Sequence, residues 1–261
     1  MKDYRNKFPF RIGTTSYILQ NAQGDDSLTS NVKYLMESFD KIQLLFFGKD
    51  YIDDLATPDV IDRLLLMKET RTINYTVHLP IDLYLLDSDK ADLDRSISLI
   101  GKIMDMTEKL DIGEYILHID HAAGTASQTP DYEKFGMILE GLSRRFGPST
   151  SYIYIENTQN DLGLYKDIIM KSRHPVCMDS GHLYMRGFDA GAFISNFDER
   201  ILEVHLHGCS GSKDHISLAE SDGEYLAMLP EYIKSYKHSV IIEVFSEKDL
   251  AGSMEYLEKI L

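Results

Sequence analysis

The chain is short of several things, and each shortage removes a class of protein. Among 261 residues there are two cysteines, Cys177 and Cys209. Two are too few for a disulfide framework, and both are read as reduced, part-buried thiols near the proposed site. No run of apolar residues approaches the roughly 20 needed to span a bilayer, so no membrane partner is expected. The start, Met1 to Phe10, has no apolar signal-peptide core, which predicts a cytoplasmic protein. Lysine and arginine are thinly spread, 27 against 42 acidic residues, for a net charge of −15. Tight, sequence-independent binding of nucleic acid needs clustered phosphate-neutralising cations. It is therefore not expected. No linker, low-complexity segment or charge run marks a boundary, so residues 1–261 are read as one domain.

What the chain has is a repeated event at the ends of its apolar runs. Tyr75-Thr-Val ends in His78, and Tyr115-Ile-Leu in His118, with His121 just beyond. Tyr152 to Ile155 ends in Glu156-Asn157. Val176-Cys-Met ends in Asp179, with His182 three residues on. Leu202-Glu-Val leads to His205 and His207, then to Lys213-Asp214-His215. Val240-Ile-Ile ends in Glu243. Seven of the nine histidines fall at these places. Taken singly, each could be a hydrogen-bonded structural residue; a packing population would scatter along helices instead.

Between these runs lie helical patterns. Thr57-Pro58-Asp59 reads as a capped helix start with proline at the first position. Apolar residues recur at helical spacing from Lys90 to Leu110. Strands are predicted at 10–15, 41–47, 74–78, 115–118, 152–156, 176–179, 202–207 and 240–243. Helices are predicted near 31–39, from 58, and at 90–110, 131–145, 161–172, 190–196, 223–235 and 248–261. Residues 208–222 read as a long loop. Strict alternation of strand and helix calls for a parallel sheet, and eight units in this length fit a (β/α)8 TIM barrel. The polar strand ends then converge on its C-terminal face, where such barrels hold their active sites.

Imidazole and carboxylate donors suit zinc first, with manganese or magnesium as alternatives. His78, His118, Glu156, Asp179, His182, His205, His215 and Glu243 are the candidate ligands. Eight donors exceed the needs of one tetrahedral ion, so one to three divalent metals per chain are expected. Glu156 and Glu243 are the candidate catalytic carboxylates. Lys213, His207 and Asn157 are candidate substrate contacts, with His207 an alternative to His205 as the strand-seven ligand. Tyr17, Tyr51, Tyr84 and Tyr184, with 124–127 and 208–212, are candidate walls of a wide binding platform.

The ordered strand-end set resembles the xylose-isomerase-like barrel superfamily, which includes endonuclease IV and sugar isomerases and epimerases. Carried over from endonuclease IV, the eight candidate ligands would bind a trinuclear zinc cluster. The pattern has an Asp two residues before the position of His215; this chain has Lys213. The chain also resembles the cobamide-remodelling phosphodiesterases (CbiR). The resemblance runs through Phe8-Pro-Phe-Arg-Ile-Gly-Thr-Thr-Ser-Tyr17, Tyr75-Thr-Val-His-Leu-Pro80, Tyr115-Ile-Leu-His118, Ile155-Glu-Asn157, Asp179-Ser-Gly-His182, Val204-His-Leu-His-Gly208, Lys213-Asp-His-Ile-Ser-Leu218 and Ile242-Glu-Val-Phe-Ser246. It implies hydrolysis of the nucleotide-loop phosphodiester of a cobamide such as pseudocobalamin. The competing expectations are a sugar isomerase or epimerase using Glu156 and Glu243 as an acid/base pair, an abasic-site endonuclease, and a cobamide-binding module without turnover.

Overall fold

The computed structural model describes residues 1–19, 26–122, 129–228 and 230–261. Eight parallel strands close into a barrel. In chain order they are β1 (Arg11–Thr15), β2 (Lys41–Leu45), β3 (Asn74–His78), β4 (Tyr115–His118), β5 (Ile153–Glu156), β6 (Val176–Asp179) and β7 (Ile201–Leu206). Two short strands outside the barrel follow, β8 (Gly208–Ser210) and β9 (Lys213–Ile216), and then the eighth barrel strand, β10 (Ser239–Ile242). Each barrel strand pairs with the next along the chain, and β10 pairs with both β7 and β1. The TIM-barrel expectation holds, and the strand positions agree to within two residues.

The helices begin where local chemistry starts them. Thr57 caps Pro58–Arg71 by accepting from the Val60 amide, and Asp89, Asp131 and Ser246 do the same for Lys90–Met106, Tyr132–Phe146 and Glu247–Ile260. Such caps satisfy amides that have no partner in the first turn. The expected 31–39 helix lies earlier, at Asp26–Leu35. Among the described residues, no helix is long and apolar enough to cross a membrane.

Two features lie outside the sequence expectations, and both sit at the barrel mouth. A short helix, Ser180–Arg186, starts on Asp179 itself. Within the expected loop, β8 and β9 form an antiparallel hairpin. A Cβ on Gly208 would lie 2.2 Å from the Ser217 carbonyl oxygen, so the chain can close here only with glycine.

The main apolar core lies between strands and helices. The barrel lumen combines a small apolar cluster, Ile116, Tyr154 and Cys177, with buried polar side chains. Lys41, Gln43, Glu203 and Ser239 are fully buried. Lys41 Nζ donates to Ser239 Oγ at 2.7 Å, lies 3.4 Å from Glu203, and is also paired with Glu114. β2 and β7 are not neighbours in the barrel, so these contacts cross its interior. Burial pulls the Lys41 ammonium down to about 8, against the pull of Glu203.

Candidate metal centre

Strand alternation points every second side chain into the lumen, and the last inward residue of most strands is a metal-binding type. Register sets them level: His118 pairs with Glu156, and Asp179 with His205. Three sets of imidazole and carboxylate donors result. His78, His118 and Glu156 form the first. Glu156, Asp179, His205 and Glu243 form the second. Asp179, His182, His207 and His215 form the third. Glu156 belongs to the first two sets and Asp179 to the last two, so the three are joined by shared carboxylates. The Cys177 sulfur also lies within reach of Glu156 and His205. Burial pushes that thiol well above its ordinary range, which keeps it protonated and a poor ligand.

Distances show how Glu156 is divided. Its Oε2 lies 3.3 Å from His78 Nε2 and 2.8 Å from His118 Nε2. Its Oε1 lies 2.7 Å from His205 Nδ1, which is also 2.9 Å from Glu243 Oε2. Several imidazoles have their far nitrogen engaged. His78 Nδ1 donates to the Leu79 carbonyl at 2.9 Å, which leaves Nε2 facing Glu156. His215 Nδ1 lies 3.4 Å from Asp214, and its Nε2 faces Glu243 at 3.9 Å. His205 Nε2 has Gln43 at 2.8 Å and Glu203 at 3.3 Å. Carboxylates and carbonyls behind metal-binding histidines fix the ring and the tautomer in this way.

The donors fit a divalent cation. Asp179 Oδ2 and His205 Nδ1 are buried without a hydrogen-bond partner. Glu156 and Glu243 stand close to His205 Nδ1, but outside hydrogen-bonding geometry. A buried polar atom left unsatisfied is costly, and bound cations would answer both. Imidazoles with carboxylates suit zinc, and the carboxylate-rich second set also suits manganese or magnesium.

Electrostatics run the same way. Burial alone would raise the pKa of Glu156, but the His205 and His118 imidazoles hold it well below the carboxylate range. Glu243 is likewise opposed by burial and brought down to about 2, chiefly by His205. Burial disfavours charge on His118, yet Glu156 and Asp120 outweigh it and lift the ring to about 9. Without metal, His118 therefore carries a proton at neutral pH. Its contribution to stability is full below its unfolded pKa of about 6.5. It is lost as pH rises through about 9. The contributions of Glu156 and Glu243 are full above about 4.5 and are lost as pH falls towards their depressed values. Binding metal must expel the His118 proton. Calorimetric titration of zinc into metal-free protein, in two buffers of different ionisation enthalpy, should register about one proton or more released per chain at pH 7. Equal heats in both buffers would contradict this.

The candidate substrate contacts have different places. Asn157 is fully buried and brackets Asp179, donating to its carbonyl at 2.8 Å and accepting from its amide at 2.9 Å. His207 is also fully buried and does not border the cavity. Neither borders the cavity, and both hydrogen-bond to Asp179. Lys213 is exposed on β9 and does not line the cavity either. His205 and His207 both point inward, one pleat apart. Asp120 is a residue that sequence reasoning misses. It is buried, lies 3.8 Å from His118 Nδ1 and is held by Thr158 at 2.5 Å. Its place after the strand-end His118 is the signal that could have found it.

A cavity of about 250 Å³ opens over the donors. His78, His118, Glu156, His182, His215 and Glu243 form its floor; Leu45, Phe46, Phe47, Ile81 and Phe245 form its walls. Phe245 stacks on His215 at 5.1 Å and meets Phe47 and Tyr17 edge-on. Tyr17, Phe47, Tyr51, Ile81 and Tyr84 are exposed. Tyr184 instead packs on buried Tyr225 at 5.4 Å. The candidate platform segment 124–127 lies outside the described residues.

No family model and no curated protein matches the chain. Solved structures do. An L-ribulose 3-epimerase superposes with a TM-score of 0.74 at 15% identity, covering 96% of this chain and 94% of its own. A D-tagatose 3-epimerase-like protein gives 0.72 at 18%, covering 96% of each. Endonuclease IV from Thermus thermophilus gives 0.70 at 16%, covering 95% and 99%. The fold is thus a (β/α)8 TIM barrel that these proteins share. Its neighbours include sugar epimerases and a nuclease alike.

Proposed function

We propose that the protein is a metal-dependent phosphodiesterase that hydrolyses the nucleotide-loop phosphodiester of a cobamide. The observation that carries this reading is the sharing of Glu156 and Asp179 between donor sets. Joined sets suit more than one cation, and a phosphodiester displacement has two oxygens, attacking and leaving, to stabilise. His78, His118 and Glu156 would hold one ion, Glu156, Asp179, His205 and Glu243 a second, and the Asp179–His182–His215 side a third. Divalent ions held there would supply Lewis-acid charge and make a water acidic enough to attack at neutral pH.

This chain's own residues supply the rest. The cavity floor presents the phosphoryl group to the donors, and the apolar walls keep bulk water away from it. Among the described residues no lysine or arginine lines the cavity, which suits one phosphodiester in a large neutral ligand better than a polyanion. The cavity is too small for a corrin ring, so the macrocycle would lie across the exposed Tyr17, Phe47, Ile81 and Tyr84 rim.

The test is incubation with coenzyme-form pseudocobalamin, with and without chelator, followed by product mass. A cobinamide-phosphate-type product and a released nucleoside, both lost with chelator, are expected. No turnover of any cobamide by metal-loaded protein would overturn the reading.

One observation favours a second reading, a sugar isomerase or epimerase. Glu156, Asp179, His205 and Glu243 form a complete four-donor set by themselves, with two carboxylates available for proton transfer. Its expected mark is a single bound metal and exchange of a ketose carbon-bound proton with solvent deuterium. The apolar walls count against it, because a polyhydroxylated substrate needs hydrogen-bond partners around its rim.

A further inference from the structure

His207 falls among the donors by position, but its hydrogen bonds give it another task. Its Nδ1 accepts the backbone amide of His215 at 3.0 Å. An amide proton is fixed on its nitrogen, so Nδ1 must present a lone pair. The Gly208 carbonyl, 3.3 Å away, cannot be served from the same atom at the same time. The Cys209 thiol at 3.6 Å could only donate to it. A neutral imidazole carries one proton, which is therefore on Nε2. That nitrogen lies 3.1 Å from Asp179 Oδ1.

Asp179 is thereby divided. Its Oδ1 accepts from the His182 amide at 2.7 Å and from His207. Its Oδ2 is the buried oxygen without a partner, 3.9 Å from His182 Nε2. On the other side, the His207 ring lies flat against that of His215, centroids 4.1 Å apart and planes within 7°. His215 itself sits at φ +52°, a backbone conformation that non-glycine residues seldom hold unaided. The His207 acceptor is what its amide meets there. Gly181 leaves room for the ring, since a Cβ at that position would lie 2.2 Å from His207 Cε1. The glycine of the Asp179-Ser-Gly-His182 motif is thus accounted for by a residue on another strand.

We propose that His207 is a positioning residue and not a ligand: it holds Asp179 through Nε2–H and the β9 turn through Nδ1, so that Asp179 Oδ2, His182 and His215 take the cation. This rests on the multi-metal reading given above. It makes one buried ring responsible for aligning two donors that come from different elements.

The experiment has two arms. In the first, NMR of labelled histidine nitrogens is recorded on the unsubstituted protein, metal-free and loaded with cadmium. The His207 Nε2 proton is expected to persist on loading, with no coupling between that ring and cadmium. Loss of the proton, or such a coupling, would make His207 a ligand and overturn the inference. This arm needs no variant to fold. In the second, metal content and affinity are compared between the unsubstituted protein and His207→Asn. One ion is expected to weaken by about 10- to 100-fold, with the others unchanged. Unchanged affinity for every ion would also overturn the inference. A single ion in the unsubstituted protein would instead remove the multi-metal reading, and the first arm would still report the tautomer.

Discussion

Glu156→Gln is expected to reduce turnover to background while leaving the barrel folded. The side chain is a near-isostere, so packing changes little. The chemistry changes completely. Glu156 is the carboxylate shared between two donor sets, with one oxygen facing His78 and His118 and the other facing His205. A neutral amide can offer one oxygen, but its other end is a donor and cannot take a cation. Loss of a partner behind a ligand costs about 10- to 100-fold in affinity or activity. Loss of the shared ligand should cost more, on the order of a thousandfold in kcat, with bound metal falling in the same sample. Metal analysis and turnover should be measured together, with a thermal melt to confirm the fold. Near-normal activity would remove Glu156 from the centre of the site.

The second large effect concerns stability. Lys41→Met should destabilise the protein by about 3–5 kcal/mol, because it strands a buried charge. Glu203 is fully buried, and Lys41 is the cation beside it. Glu114, on the far side of the ammonium, loses the same partner, though Arg11 stays 3.6 Å away. For a domain of this size, each kcal/mol moves Tm by roughly 2–4 °C, so a fall of roughly 6–20 °C is expected. The double variant Lys41→Met with Glu203→Gln should recover most of it, since removing both charges removes the stranded one. Metal content should stay close to that of the unsubstituted protein in Lys41→Met. A change within about 0.5 kcal/mol, as at an ordinary surface site, would mean that the fold does not depend on the Lys41–Glu203 pair.

Much of this molecule was legible in order along the chain. A strand that ends on His78, His118, Glu156 or Asp179 announces itself, because the apolar run and the polar terminus are adjacent in sequence. Helix starts are local too: Thr57-Pro58 needs only its own next turn. The misses share a different property. The β8–β9 hairpin exists through pairing of Gly208 with Ile216, and the helix after Asp179 uses a candidate ligand as its cap. Neither leaves a periodic trace. Asn157 and His207 stand beside candidate ligands in the sequence, and what they bond to is not visible there. Their hydrogen bonds to Asp179 come from the ends of other strands and have no signature in the one-dimensional order.

The sequence by itself determined the alternation of strands and helices, the barrel that follows from it, and which residues would stand at the strand ends. Those are consequences of pleat, helical period and capping, and each acts over a few residues. Only the tertiary structure decided which donors share an ion's neighbourhood, which nitrogen of each imidazole faces inward, and that a polar chain from Lys41 to His205 runs through the lumen below. Barrel closure brings position 78 beside position 156 and position 205 beside 243. The register that does so is set by all eight strands at once.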